Sequence, residues 1–428
     1  MAKPRHRGND VDPHDAFGLV REQKILKSKV REVFTPHQPI DQIELLFGRE
    51  REVQKLIENV NTPGQHVLLF GDRGVGKSSL ANVARFILLD NGRREGFTKR
   101  CDSEDTFETI VQAPLQFIGA DLSLERVSRG RRRSRDIGVE KGLVARFGRS
   151  SEIVETFKAT GSLSPSVVAE ALQPLRGLLV VDEADAIANP RDKRKLAELI
   201  KHLSDNGSSF KIMVVGIART GDELTAAHPS VERCLKETRL NRMSSDELLE
   251  ILVNGSNKLN LQFSRGASRA IVRLSSGYPY FTHLLGLKCS EEAIAGGYRE
   301  IDIKDLESAL HAAVEEAEGA LKRRYDDAIR SSGTDLYRVI LMAAASVGQG
   351  EFSAQGLREA ISAITGEVIS QGSLNNYFKR LVSTDGTTVL RRVGKGFYRF
   401  EDPRMLSFVR IANAMLDEND ELSVLDMK

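Results

Sequence analysis

Gly71-Asp72-Arg73-Gly74-Val75-Gly76-Lys77-Ser78, followed by Ser79, sits between the apolar run 66–70 (HVLLF) and the stretch 78–89 (SSLANVARFILL). A short apolar run ending at a glycine reads as a buried parallel strand. The apolar spacing after the loop predicts a helix. The loop itself has the form GxxxxGK[ST] in a strand–loop–helix setting. Its glycines let backbone N–H groups turn inward, and the helix start adds the positive end of its dipole, so the loop forms a cradle for phosphates. Lys77 is expected to reach β- and γ-phosphates, and Ser78 to ligate Mg²⁺. The binding set is then Gly71, Asp72, Arg73, Gly74, Val75, Gly76, Lys77, Ser78 and Ser79.

Working outward, the pattern alternates strand and helix. Residues 50–59 place Val53, Leu56 and Ile57 on one helical face, with Val60 continuing it. Strands are predicted at 97–101, 177–181 and 211–217, and helices at 106–118, 164–175 and 192–203. Residues 119–150 are irregular and basic. Strands alternating with helices imply an α/β fold, a parallel sheet with helices on both faces. The strand 177–181 runs into Asp182-Glu183-Ala184-Asp185, two acids where a buried strand emerges. Asp182 is expected to hold the Mg²⁺ shell and Glu183 to act as general base on the attacking water. Asp185 reads as a helix cap or solvated acid.

From 244 the character changes to amphipathic helices at 244–258, 264–275, 279–295 and 303–330, an α-helical lid subdomain. A third unit follows, with helices at 335–346, 353–364 and 371–382, strands at 388–393 and 396–400 about Gly394-Lys395-Gly396, and a closing helix at 404–416. Three helices and a hairpin suggest a C-terminal winged helix-turn-helix. The expected organisation is a flexible arm (1–40), the P-loop core (41–243), the lid (244–332), the winged helix (333–416) and an acidic tail (417–428).

Composition narrows the class without deciding it. A net charge of +2, 40% hydrophobic and 29% charged residues describe an ordinary globular chain. Without tryptophan, a broad base-stacking platform is not expected. Cys101, Cys234 and Cys289 stand apart with no CxxC spacing, which argues against a disulfide scaffold or zinc site and for a reducing cytoplasm. The basic start MAKPRHRGND lacks the apolar core of a signal peptide. No stretch reaches the ~18 apolar residues of a membrane span. A soluble, cytoplasmic protein is expected.

These motifs together resemble an AAA+ ATPase: Phe47-Gly48-Arg49, the phosphate loop, LLVVDEAD at 178–185 and the helical subdomain. VFTPHQPID and LFGRE at 33–50, LSPSVVAEAL, HPSVER and the terminal winged helix are similar to the origin-recognition initiator clade and its bacterial relatives, over roughly 33–416. The resemblance implies ATP and Mg²⁺ as cofactors and hydrolysis within an oligomer. It implies that Phe47–Arg49 packs near adenine, where a plain hydrophobic staple is the alternative. After the strand at 211–217 it implies a polar sensor; the initiator pattern favours Asn, and this chain offers Arg219 and Thr220, of which Thr220 fits, with ordinary loop polarity the alternative. His228-Pro-Ser-Val-Glu-Arg233 falls where the family carries an arginine acting across subunits. Arg233 either fills that role or forms a salt bridge within the chain; Arg242 is a second candidate. One departure stands out. The lid arginine that the clade carries after a glycine is missing from Gly277-Tyr278-Pro279-Tyr280-Phe281-Thr282-His283, whose GxP form is closer to STAND signalling ATPases. His283 either substitutes for that arginine or is a packed helix histidine.

For nucleic acid, the helix 371–382 would turn Leu374, Phe378 and Leu381 to the core and Gln371, Ser373, Asn375, Asn376 and Lys379 outward, side chains suited to base edges and phosphates. Arg391, Arg392 and Lys395 charge the hairpin, whose Gly-Lys-Gly tip is small enough for a minor groove. The basic run 126–149 would track phosphates or remain a solvated loop. Two functions follow as expectations. One is a DNA-associated, homo-oligomeric ATPase. The other is a STAND-like ATP-driven switch or scaffold that recruits a protein effector, as in bacterial defence or a mobile element.

Overall fold

The computed structural model describes residues 28–89, 94–120, 124–127, 156–159, 163–217, 222, 229–330, 333–348, 350–382 and 388–414. The chain enters at α1 (28–33) and α2 (Glu50–Asn61) and then alternates: β1 (His66–Gly71), α3 (Lys77–Leu89), β2 (Glu95–Arg100), α4 (Phe107–Phe117). It continues through β3 (Leu124–Val127), β4 (Thr156–Ala159), α5 (Pro165–Leu172), β5 (Gly177–Asp182), α6 (Pro190–Asp205), β6 (Lys211–Gly216) and β7 (Leu235–Leu240). Two compact units result: residues 56–70 with 87–238, and all the rest, including 71–86.

In the first unit the five-stranded sheet has the order β2-β5-β6-β1-β7. The pairs β2–β5, β5–β6 and β6–β1 are parallel, with Leu179 opposite Ile212 and Val67 opposite Met213. Every residue of β5 and β6 is buried, as strands covered on both faces must be. Caps start the helices. Thr106 and Thr109 form a capping box for α4, and Asn189 with Pro190 opens α6. Phe107, Leu196, Ile200, Phe210 and Val214 anchor the core between these helices and the sheet. Two elements depart from the expectation. β7 carries alternating charges (LKETRL), so its apolar signal is only its buried side. Within 119–150, expected to be irregular, β3 pairs antiparallel with β4; residues 128–149 of the basic run lie outside the described residues.

The second unit is mainly helical. It contains α7 (Ser245–Lys258), β8 (Gln262–Phe263), α8 (Arg265–Ser275), α9 (Pro279–Gly296), β9 (Glu300–Ile301), α10 (Ile303–Glu316) and α11 (Gly319–Ile329). Ser244 caps α7 reciprocally with Glu247, and Asp302 caps α10 with Asp305. α9 is buried on most of its circumference through Phe281, Leu284, Leu285, Leu287 and Ala293, as expected of a central helix. The single helix expected over 303–330 is two. Extended backbone at Ala317 (ψ 155°) and Glu318 (ψ 117°) ends the first, and Gly319 starts the second.

Part of the expected arm is built into this unit. Val30 and Phe34 are fully buried. A Cβ added to Gly255 or Gly286 would lie 2.7 Å from the Phe34 ring, so both glycines leave the room that ring occupies. The Thr35 amide donates to His283 Nδ1 at 3.2 Å, and the Ile40 amide donates to Ser79 Oγ at 3.0 Å.

The chain closes with α12 (Leu336–Ser346), β10 (Phe352–Ser353), α13 (Ala354–Thr365), α14 (Gln371–Leu381), β11 (Leu390–Gly394), β12 (Phe397–Phe400) and α15 (Met405–Ala412). The expected hairpin β11–β12 gains β10 as a third antiparallel strand. α15 fastens this segment to the lid helices. Ser407 Oγ donates to the Ser275 carbonyl at 2.9 Å, and Asn413 Nδ2 donates to Tyr325 Oη at 2.9 Å.

Candidate functional site

Glycine shapes the phosphate loop for a physical reason at each position. A Cβ on Gly71 would come within 2.3 Å of the Leu240 carbonyl oxygen, so no side chain fits. Gly74 and Gly76 adopt φ of +78° and +94°, which favour glycine. Val75 between them is buried and pins the loop. α3 begins at Lys77, so the amides of its first turn lie at the end of the loop. Lys77 Nζ donates to the Gly71 carbonyl at 3.1 Å and the Asp72 carbonyl at 2.8 Å, which keeps the ammonium folded over the loop.

The lid turn that lacks the expected arginine rests on this loop. Gly277 has φ +85°, and a Cβ there would meet Arg242 Cβ at 2.7 Å. Buried Tyr278 directs its hydroxyl to Asp72 Oδ2 at 3.4 Å, and burial raises its pKa above the ordinary phenol value. The Arg242 guanidinium lies 4.7 Å from the Tyr278 ring centroid, with Nε 3.5 Å from Asp72 Oδ2. Arg242 therefore faces the phosphate loop of its own chain. His283 is buried, and desolvation lowers its pKa to about 4; it is a packed histidine that accepts the Thr35 amide.

The acidic pair belongs to the sheet unit. β5 ends at Asp182, which is 6% exposed; its Oδ1 accepts the Glu183 amide at 2.9 Å. Arg100, opposite Asp182 in the β2–β5 register, brings Nε to 3.9 Å from Asp182 Oδ2. Glu183 is exposed and sits at φ 54°, a left-handed conformation that non-glycine residues adopt at a cost of about 1–3 kcal/mol. That twist turns the chain out of the strand and presents its carboxylate to solvent. Because β6 lies between β1 and β5, all three parallel strands end on one edge of the sheet, the usual place for ligands in α/β folds.

The remaining expected residues fall as follows. Thr220 and Arg219 lie outside the described residues. Arg233 is 65% exposed and ion-paired with Asp205 of α6 in the same chain. Arg49 is buried, donating to Glu52 and to the Asn241 carbonyl at 2.7 Å, so the Phe47–Arg49 segment ties α2 to the chain after β7. All three cysteines are buried and unpaired, and burial raises Cys101 to about 12, which leaves no reactive thiolate. Among the described residues no group of three or more His, Cys, Asp or Glu side chains forms a metal cluster, and no helix is long and apolar enough to cross a membrane.

In the terminal segment, Leu374, Phe378 and Leu381 of α14 are buried, while Gln371, Ser373, Asn375, Asn376 and Lys379 are exposed. Arg380 is tied back, donating to the Asp327 and Arg330 carbonyls and stacking over Tyr337. Arg391, Arg392, Lys395 and Arg399 are exposed along the hairpin. Sequence reasoning did not place Tyr278 or Arg404 beside the loop. No motif marks either one, because each reaches the loop only through tertiary approach.

Residues 36–386 match the model of Novel STAND NTPase 1. No curated protein matches the chain significantly. Among solved structures, the Walker-type ATPase of Pyrococcus abyssi is similar with a TM-score of 0.51 at 19% identity, covering 88% of this chain and 99% of that one. The ORC2 protein of Aeropyrum pernix, in ADPNP–ADP complexes, has a TM-score of 0.48 at 13% identity, covering 90% and 96%. The ORC1 protein of Aeropyrum pernix in complex with DNA has a TM-score of 0.46 at 14% identity, covering 89% and 96%. At 19% identity the likeness to the Pyrococcus abyssi protein concerns the fold alone.

Proposed function

The chain belongs to the Novel STAND NTPase 1 family and is a P-loop ATPase; on that premise we propose that it hydrolyses ATP at the 71–79 loop and, in a nucleotide-regulated oligomer, meets duplex DNA through a C-terminal winged helix. The observation that carries the nucleotide reading is the loop itself, with two positive-φ glycines, no room for a side chain at Gly71, and a lysine folded over the backbone. Backbone amides of the loop and the start of α3 would bind phosphate oxygens, and Lys77 would neutralise β- and γ-phosphate charge. The oxygen donors Ser78 and Asp182 suit Mg²⁺, which binds few protein ligands and takes the rest from phosphates and water. When bound, that ion supplies positive charge at the phosphates. Glu183 accepts a proton from the water that attacks the γ-phosphorus, and the bond to the β-bridging oxygen breaks to release ADP and phosphate. Thr220 would orient that water. Arg233, on a solvated ion pair worth less than about 1 kcal/mol, is free to exchange Asp205 for a neighbouring subunit's phosphate.

The DNA reading rests on the exposed face of α14 and the cations of the hairpin. Its test is a salt titration of duplex affinity. Replacing Arg391, Arg392 and Lys395 together by alanine should weaken binding and flatten the salt slope, because fewer counterions are released. Replacing Asn375 and Asn376 should chiefly reduce sequence discrimination. Undiminished binding by the hairpin variant at every salt concentration would remove the winged helix as the DNA contact. The second reading, an ATP-driven switch that recruits a protein effector, is favoured by the STAND family itself and by the arginine-free Gly277-Tyr278-Pro279 turn. It predicts nucleotide-dependent protein capture with no duplex affinity.

A further inference from the structure

One buried charge cluster, on the terminal segment, takes no part in the proposed hydrolysis. Arg404, immediately before α15, is 7% exposed. Its Nε donates to Asp402 Oδ1 at 3.1 Å and its Nη2 to Asp402 Oδ2 at 2.8 Å, while Nη1 pairs with Glu318 at the break between α10 and α11. Its aliphatic stem lies against the phosphate loop. A Cβ on Gly74 would come within 2.8 Å of Arg404 Cδ and 3.3 Å of Cγ. Gly74 is held in the positive-φ region at that point of contact. The same stretch of loop, through Arg73, adds its field to Asp402.

Two carboxylates contact the one Arg404 guanidinium directly, and Arg73 adds a second positive field at Asp402. Burial opposes both ionisations, yet hydrogen bonds from Arg404 hold Asp402 below its ordinary pKa, so the cluster stays charged. Carboxylates beside a loop built to receive phosphates repel a triphosphate when one arrives. Triphosphate and carboxylates then compete for one cation, and Arg is the side chain suited to both by its forked donors. Of the two carboxylates, Asp402 is two residues away on the same turn and moves with Arg404. Glu318 lies at a helix junction, with its carboxylate part-exposed and its amide donating to Tyr280 Oη at 2.9 Å. It is the partner that can be released.

We propose that Arg404 is a phosphate-responsive arginine supplied by the terminal segment, where the lid turn has none, and that it exchanges Glu318 for the γ-phosphate of ATP held at the 71–78 loop. The exchange makes ATP and ADP distinguishable at the junction of α10 and α11, because only the longer nucleotide draws Arg404 away. The inference rests on the loop being the nucleotide site.

The experiment measures affinity for ADP and for non-hydrolysable adenylyl imidodiphosphate by calorimetry, on the full chain. Arg404→Met, which keeps the stem against Gly74 and removes the charge, should lower the preference for the triphosphate analogue over ADP by about tenfold. Arg404→Lys should recover part of it. Glu318→Gln weakens the competing partner, so it should raise triphosphate-analogue affinity several-fold and leave ADP unchanged. A structural role alone would weaken both nucleotides in parallel in every variant, and that result overturns the proposal. If Arg404→Met fails to fold, the opposite sign required of Glu318→Gln still decides. Lys77→Ala separates the two readings. Unchanged nucleotide binding in that variant refutes the loop as the site and the proposal with it. Lost binding, with Arg404 and Glu318 variants like wild type, refutes the proposal alone.

Discussion

Replacing Phe34 by alanine tests whether the segment before the core is part of the fold. The ring is fully buried, edge-on to Phe263 at 6.5 Å and to His283 at 6.1 Å, and seated against Gly255 and Gly286. Truncating a buried phenylalanine costs about 3–5 kcal/mol when the site cannot collapse. Here two helices with glycine at the contact leave a defined void, so the upper part of that range applies. In a protein of this size such a loss corresponds to a fall in Tm of about 5 °C. The stronger signature is a change of sign at Gly286. In the wild-type background, Gly286→Ala forces a methyl to within 2.7 Å of the ring and should cost about 1–3 kcal/mol. In the Phe34→Ala background the same methyl enters the void, and alanine is the better helix former by about 1 kcal/mol, so it should stabilise. Denaturant unfolding of the four proteins measures the cycle. Additive effects, or a loss below about 1 kcal/mol for Phe34→Ala, would refute the packing argument.

Stability should fall as pH drops below 6.5. His66 and His283 are buried with pKa values lowered to about 3 and about 4, chiefly by desolvation, whereas in the unfolded chain they take up protons near 6.5. The unfolded state binds more protons between those limits, so each should remove about 2 kcal/mol by pH 5, and replacing both by glutamine should flatten the slope in pH-dependent unfolding. Arg233→Ala should keep nucleotide affinity and lose most hydrolysis, and mixing it with Glu183→Gln protein should restore part of the activity in a phosphate-release assay. Failure of every mixture to recover would assign Arg233 to its ion pair with Asp205 alone.

Much of the sheet and of the loop was legible because each rests on local signals. β1, β5 and β6 are short continuous apolar runs bounded by glycine or acid, and the phosphate loop carries its glycines at fixed spacing. β7 was not legible, since a strand with exposed Lys236, Glu237 and Arg239 shows only half of its pattern. The helix expected over 303–330 concealed its break, because Ala317 and Glu318 are ordinary helix residues and the turn is set by tertiary contact. The same limit applies to the site. Arg242 was visible as a cation, but its approach to Asp72 depends on Gly277 and the Tyr278 ring, which lie far along the chain. Arg404 is more remote still, reaching Gly74 across some 330 positions of sequence.

The most direct test of the account is hydrolysis and binding measured together in Glu183→Gln and Lys77→Ala. With a carboxamide that cannot take the water's proton, Glu183→Gln should bind ATP as wild type does and hydrolyse it about 10²–10⁴-fold more slowly. Lys77→Ala should fail to bind ATP tightly, because the loop loses its lysine. Calorimetry and phosphate release read both. Unchanged turnover in Glu183→Gln, or undiminished ATP affinity in Lys77→Ala, would contradict the assignment of nucleotide chemistry to this loop and this acid.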